Sequence, residues 1–313
     1  MNYDEFLGRA ASALQAFLDL DPAGPGCGAR VGIRDVNKLQ GESYRGLTIR
    51  FPGDTVSASF NAMPFYRAYR EGRPFEEVLE ELRARIRPLL ERTGWSVRKI
   101  DLSYKACRDR LMLELISCRG NEEQLQHLPH RRIEDLALIY RLDFGYEKET
   151  LSTAVITGSL LEHFGLTGEA LYRDAMEVVP VREPLVLCPL CQVLEDMTGF
   201  SLPEKDPPFS LYVASNTSRI MGASVLAYPD FGEKASELLG DDFYIIPSSI
   251  HELLLMPAHV IDPATLKYIV MAVNRQEVAP EDRLSDNVYF YSRSTGQITL
   301  AEDKKEEEIP IIF

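Results

Sequence analysis

The stretch IIPSSIHELLLMP, residues 245–257, decides much of the fold because it places a polar corner between two apolar runs. Short apolar runs bounded by turn residues are typical of buried strands. We therefore predict a β-hairpin with the strands DFYIIP and HELLLMPA. In this hairpin, Ser248 and Ser249 turn the chain and His251 bonds to the backbone.

The segments around this hairpin mix strands and helices without a regular strand–helix–strand alternation. Upstream, FSLYVASN predicts a strand, and DFGEKASELLG predicts a helix that ends at Gly240. Downstream, DPATLKYIVMAVNRQ predicts a helix, and NVYFYS with QITLAE predicts a closing hairpin. This order favours an α+β fold, with mostly antiparallel or mixed sheets and packed helices, over a doubly wound parallel sheet.

The N-terminal part has a pattern of its own. A helix over residues 3–18, three strands and then helical segments predict an α-β-β-β-α unit, with Pro88 bending or ending the last helix. We predict two α+β domains, residues 1–128 and 129–313. The second is expected to contain an irregular proline-rich segment near residues 180–208.

The charge of the chain limits its partners. Its net charge is −14: residues 1–100 carry 15 basic and 13 acidic side chains, and residues 101–313 carry 19 and 35. An acidic chain repels nucleic acid and anionic lipid on average, and no apolar run approaches the length of a membrane helix. The chain has five cysteines, an odd number, and its first residues do not form a signal-peptide pattern. Together these features predict reduced thiols in the cytoplasm.

The best catalytic candidates are Ser249 and His251, with an acid from Asp282 or Asp286. In an extended strand Ser249 and His251 share one face, and Glu252 points to the other, so this run cannot form a Ser-His-Glu triad by itself without a bulge. An acid from elsewhere would have to orient the histidine. A hydrolase is therefore the alternative, and we lean away from an enzyme.

Two further groups are candidates for metal binding. Cys188 and Cys191 form a CxxC pair that His127 and His130 would complete as a zinc site, but only two residues separate the histidines and no second CxxC follows. The carboxylates of APEDRLSDN, residues 279–287, are more typical of turn capping than of a divalent-ion site. No nucleotide-binding or cofactor-binding pattern occurs, so we predict neither metal nor cofactor.

Several separated stretches resemble a known family. GLTIRFPGDTVSASFNAMPFYRAYREG, EDLALIYRLDFG, IIPSSIHELLLMP and VAPEDRLSDNVYFY together are similar to the domain-of-unknown-function family 5688. A fainter likeness to the domain-of-unknown-function family 1444 covers residues 136–145, the helix pair after them and residues 209–257. The resemblance implies a bacterial, intracellular protein and brings no assigned reaction, ligand or catalytic residue.

The sequence thus favours a non-catalytic protein-binding or regulatory module, with another protein as its partner. Residues 67–99 would supply its basic contact face, and the later part of the chain an acidic one. The hydrolase is the second hypothesis, and an acidic mimic of nucleic acid is the third. Ligand, partner, oligomeric state and biological process stay open.

Overall fold

The computed structural model describes residues 1–20, 28–36, 38–41, 43–52, 57–90, 101–147, 150–199 and 211–301. The chain divides into two compact units, Met1–Asp101 and Leu102–Phe313. The sequence placed the boundary between residues 128 and 129. A boundary there would separate strand Leu111–Ser117 from its antiparallel partner Leu136–Glu147, so the break lies earlier in the chain.

The first unit has the expected α-β-β-β-α order, followed by one more helix. Its first helix begins at a capping box in which Asn2 and Glu5 satisfy each other's backbone N–H groups. The last helix continues beyond Pro88, so that proline does not end it. The elements are α1 (Tyr3–Asp19), β1 (Arg30–Val36), β2 (Tyr44–Arg50), β3 (Ala58–Phe60), α2 (Met63–Arg70) and α3 (Phe75–Leu90).

The second unit begins with a four-stranded antiparallel sheet in which β6 pairs with β4, β5 and β7. Two helices follow, and a threonine side chain caps the N-terminus of each. The elements are α4 (Tyr104–Cys107), β4 (Leu111–Ser117), α5 (Glu122–Leu125), β5 (His130–Ile133), β6 (Leu136–Glu147), β7 (Thr150–Val155), α6 (Gly158–Phe164) and α7 (Gly168–Arg182).

The rest of the second unit forms a six-stranded sheet in the order β13-β12-β10-β11-β9-β8, with all pairs antiparallel. Short 3₁₀ helices occupy Arg108–Arg110, Gly222–Ala227 and Pro280–Asp282. The elements are β8 (Leu185–Pro189), α8 (Leu190–Thr198), β9 (Tyr212–Asn216), α9 (Phe231–Leu239), β10 (Phe243–Ser249), β11 (Glu252–Pro257), α10 (Pro263–Gln276), β12 (Tyr289–Ser292) and β13 (Gln297–Leu300).

The proline-rich segment is more regular than the sequence suggested. Helix α7 runs through Pro180, and the CPLC stretch is divided between β8 and α8. The apolar and polar residues of this segment show no steady period, because the short strand β8 is followed directly by the helix α8. Residues 200–208 lie outside the described part of the chain.

The two sheets of the second unit share one apolar core. Leu113 and Leu138 from the four-stranded sheet belong to the same buried cluster as Phe243 and Leu255 from the six-stranded sheet. Neighbouring side chains in β10 point to the opposite face, where Tyr244 packs in a smaller cluster with residues of α10. The α+β class with antiparallel sheets and packed helices is confirmed.

Within the described residues, no helix is long and apolar enough to cross a membrane.

Candidate functional site

The predicted hairpin is present, but its two-residue turn is Ile250-His251, and Ser248 and Ser249, which were expected to turn the chain, end β10 instead. Strands β10 and β11 pair from Phe243 and Pro257 to Ser249 and Glu252, with a register shift between Ile246 and Ser249. Directly paired residues of an antiparallel hairpin project to the same face. The expectation that Ser249 and Glu252 point apart is therefore wrong, because the chain turns between them instead of continuing as one strand.

The imidazole of His251 lies between the backbone of Met221 and the carboxylate of Asp282. Its Nδ1 accepts the backbone N–H of Met221 at 3.2 Å, so the proton of the neutral ring lies on Nε2. Nε2 lies 3.9 Å from Oδ1 of Asp282. This distance is too long for a hydrogen bond, and both side chains are partly exposed, at 44% and 35%.

The main chain brings residues 245–257 and 279–287 together at this point. The backbone N–H of Ile250 donates to the carbonyl oxygen of Asp282 at 2.9 Å. This bond connects the hairpin turn to the 3₁₀ helix Pro280–Asp282. We call the turn, that helix and the loop before Gly222 the His251 corner.

The other predicted catalytic residues have structural partners. Oγ of Ser249 accepts the backbone N–H of His251 at 3.1 Å, and no hydrogen bond in the described residues joins it to the imidazole. Asp286 is not in the corner, since its Oδ1 accepts Nδ2 of Asn274 at 2.9 Å. The structure therefore gathers Ser249, His251 and Asp282 but not Asp286.

The sequence missed the loop that completes the corner. Arg219 and Met221 adopt positive φ angles of 57° and 51°, which are uncommon for residues with a side chain. Gly222 follows, and a Cβ on it would lie 2.0 Å from Oγ of Ser215. That hydroxyl donates to the carbonyl oxygen of His251 at 2.8 Å. The isolated glycine after a polar loop was the available signal for this close approach.

The sequence NTS, residues 216–218, lies at the end of β9 and begins the loop before Gly222. Asn216 is the last residue of β9, and its Nδ2 donates to the carbonyl oxygen of Ile220 at 2.9 Å. The 3₁₀ helix that follows has Met221 at its N-cap and no side-chain cap. The asparagine therefore closes the loop instead of starting a helix.

A second polar cluster surrounds the carboxylate of Asp135, in the turn between β5 and β6. It accepts hydrogen bonds from the hydroxyls of Ser285, at 2.6 Å, and Tyr289, at 2.5 Å, and from Nδ2 of Asn287, at 3.1 Å. Burial, and after it the hydrogen bond to Asp135, raise the pKa of the Tyr289 phenol. All three donors share this one carboxylate, so the network joins distant segments of the chain.

Three of the stretches that carried the family resemblance meet at these two clusters. The family of unknown function (DUF5688) matches residues 3–293. The chain belongs to this family. Comparison with curated proteins gives no significant match, and comparison with solved structures gives none. The likeness to family 1444 stays a prediction.

The candidate zinc ligands of this DUF5688 member lie apart from the His251 corner. Cys188 is on β8, Cys191 is exposed on α8, and His130 begins β5 with its Nδ1 2.9 Å from a backbone carbonyl. His127 follows α5, and its own carbonyl accepts a backbone N–H. Among the described residues, no three histidine, cysteine or acidic side chains come together as a metal site.

Proposed function

We propose that this member of DUF5688 is a non-catalytic protein-binding or regulatory module of the bacterial cytoplasm. The observation that supports the proposal most strongly is the hydrogen bond that Nδ1 of His251 accepts from the backbone N–H of Met221. A general base needs an unprotonated nitrogen that faces the nucleophile. Here Nδ1 already accepts a backbone N–H, and Nε2 carries the proton and faces Asp282.

The distribution of charge supports a protein partner. The unit Met1–Asp101 carries 15 basic and 14 acidic side chains, a net charge of +1, and the unit Leu102–Phe313 carries 19 and 34, a net charge of −15. Surfaces of different charge within one chain favour charge-complementary recognition of another protein. Cys118, Cys188 and Cys191 carry free thiols, which supports a reducing compartment.

A hydrolase that uses Ser249 is the second candidate, because its hydroxyl lies 3.1 Å from the backbone N–H of His251 and Asp282 faces the imidazole of the same residue. It would require the imidazole to leave Met221 and turn Nδ1 towards Ser249. The His251→Asn variant distinguishes the two functions. The asparagine Oδ1 can replace Nδ1 as an acceptor for the Met221 N–H, but it cannot act as a general base.

The test combines stability with active-site labelling. We expect His251→Ala to lower the free energy of unfolding by about 1 kcal/mol and His251→Asn to restore most of it, as measured by urea denaturation. A fluorophosphonate probe should leave Ser249 unmodified in the wild-type chain. A Ser249 adduct that both His251 variants abolish would establish the hydrolase instead.

Capture from native bacterial lysate tests the binding function itself. The tagged full chain should retain the same partner at several salt concentrations, and the His251→Asn variant should retain it equally. A chain that captures no specific protein at any salt concentration would contradict the proposal.

A further inference from the structure

Helix α10 carries large apolar side chains on its solvent-exposed side as well as on its buried side. Residues three or four positions apart share one side of a helix. The inner side packs in the smaller apolar cluster through Leu266 and Val270. On the outer side, three large apolar side chains are exposed, at 75%, 44% and 46% of their surface: Tyr268, Ile269 and Val273. We call these three residues the outer stripe of α10.

The outer stripe has the size of a docking surface for a short segment. A surface helix normally places polar residues opposite its buried side, and neighbouring exposed apolar side chains mark a surface that binds another segment. A stable interface between two folded copies buries about 800 Å² on each partner, or roughly 20–30 residues a side. Three large side chains on one helix are few for such an interface and fit a segment of a few residues better.

The described part of the chain ends beside this helix. Ala301, its last residue, packs in the same apolar cluster as the inner side of α10, and its backbone N–H donates to the carbonyl oxygen of Val288 at 2.8 Å. Residues 302–308 follow and precede the apolar sequence IPIIF, residues 309–313. Seven extended residues span at most about 23–25 Å, and a helix is about 10–12 Å thick. The sequence IPIIF is therefore within reach of the outer side of α10.

The charges of the helix and of the C-terminal sequence are complementary. Residues 302–308 read EDKKEEE, so three glutamates directly precede Ile309. Lys267 and Arg275 of α10 are exposed, and neither forms an ion pair with a residue that the structure describes. Arg275 is seven positions, or two turns, from Tyr268 and so lies on the same side of the helix. An acidic run that leads into an apolar end thus matches a helix with cations beside an apolar stripe.

We infer that residues 309–313 dock on the outer stripe of α10 in the same chain. This contact goes beyond the protein-binding function proposed above and does not depend on it. The docked segment removes apolar surface of the helix from water, and the glutamates before it lie near Lys267 and Arg275. It brings four large apolar side chains to the stripe: Ile309, Ile311, Ile312 and Phe313. The segment also keeps this side of α10 from contacting other chains.

Photo-crosslinking in the full chain tests this contact. The photoreactive amino acid p-benzoylphenylalanine takes the place of Phe313, the chain is irradiated, and the linked peptides are identified by mass spectrometry after digestion. We expect most links to fall on residues 263–276. The linked product should keep the mass of one chain on a denaturing gel, because helix and segment belong to the same molecule.

Two variants of the crosslinking chain show whether the outer stripe is responsible. Ile269→Gln should lower the yield of links to α10 about fivefold, in keeping with the loss of one partly buried apolar contact. Leu238→Gln is the matched control, since Leu238 on α9 has the same exposed fraction, 44%, and should leave the yield unchanged. Both variants should keep the circular dichroism spectrum of the parent chain, since each side chain faces solvent.

Three results would overturn the inference. The links could fall on elements other than α10, or be spread evenly over the chain. The two variants could lower the yield equally, which would show a general response to lost apolar surface. The linked product could have the mass of two chains, which would mean that the stripe is covered by a second copy.

Discussion

Gly222→Ala should destabilise the second unit, because the new methyl group has no space in the His251 corner. A Cβ on Gly222 would lie 2.0 Å from Oγ of Ser215 and 2.4 Å from the carbonyl oxygen of His251. The serine side chain can rotate away, but it then loses its 2.8 Å hydrogen bond to that carbonyl. The carbonyl belongs to the hairpin turn and can move only if the turn moves.

The expected loss in the free energy of unfolding is about 2–4 kcal/mol. Overpacking of a well-filled site costs about 1–3 kcal/mol, and the lost hydrogen bond adds about 1 kcal/mol. For a unit of this size, such a loss lowers the melting temperature by about 5–15 °C in differential scanning calorimetry. Ser215→Ala in the same chain should recover about 1 kcal/mol, since it removes the shorter of the two contacts.

Gly168→Ala is the matched control, because no atom lies within 4 Å of a Cβ at this first residue of α7. Alanine is preferred to glycine in helices, so the control should leave the melting temperature unchanged or raise it slightly. If the Gly222→Ala variant has the same melting temperature as the wild-type chain, the close approach of the hairpin turn to Gly222 is not a feature of the folded protein.

Three further predictions concern charge and pH. Glu114→Gln should lower the free energy of unfolding, measured by urea denaturation, by about 3 kcal/mol. The substitution leaves the guanidinium of Arg141, which is 2.8 Å away and also largely buried, without its anion. A loss below about 1 kcal/mol would show that water replaces the pair. Burial, which is the larger effect, and a hydrogen bond to a carboxylate both raise the pKa of Tyr289. The contribution of this residue to stability is therefore complete below a pH of about 10, the unfolded-state pKa, and is lost as the pH rises further. In an alkaline titration at 295 nm, Tyr289 should therefore ionise only with unfolding, so Tyr289→Phe should reduce the amplitude of the slow phase by that of one tyrosine. Arg30→Glu should raise stability by about 0.5 kcal/mol, because it places opposite charges across from Arg50; an unchanged urea midpoint would mean that these two side chains do not interact.

The elements that the sequence predicts best are those with a strong local pattern. The hairpin of β10 and β11 follows from two apolar runs with polar residues between them, and α10 follows from its periodicity and from Asp262 as N-cap. The N-terminal α-β-β-β-α unit is confirmed for the same reason. In each case, residues close in the chain contain the whole signal.

The features that the sequence did not predict depend on contacts between distant residues. Asp135 accepts a hydrogen bond from Tyr289, 154 positions away, and no local sequence pattern indicates that these two residues interact. The close approach of Gly222 to His251 likewise depends on how β9 and β11 lie side by side. The sequence therefore predicted the part of the candidate site that contains Ser249, His251 and Asp282. It did not predict that the loop before Gly222 supplies the hydrogen-bond donor to the imidazole.

The pairing of β4 with β6 limits how the chain can be shortened. A fragment that starts at residue 129 would lack β4 and leave one edge of the 12-residue strand β6 without hydrogen-bond partners. Long unpaired strand edges recruit other chains and lead to aggregation. A fragment that starts at Leu102 keeps this strand pair intact and is the better choice for expressing the second unit alone.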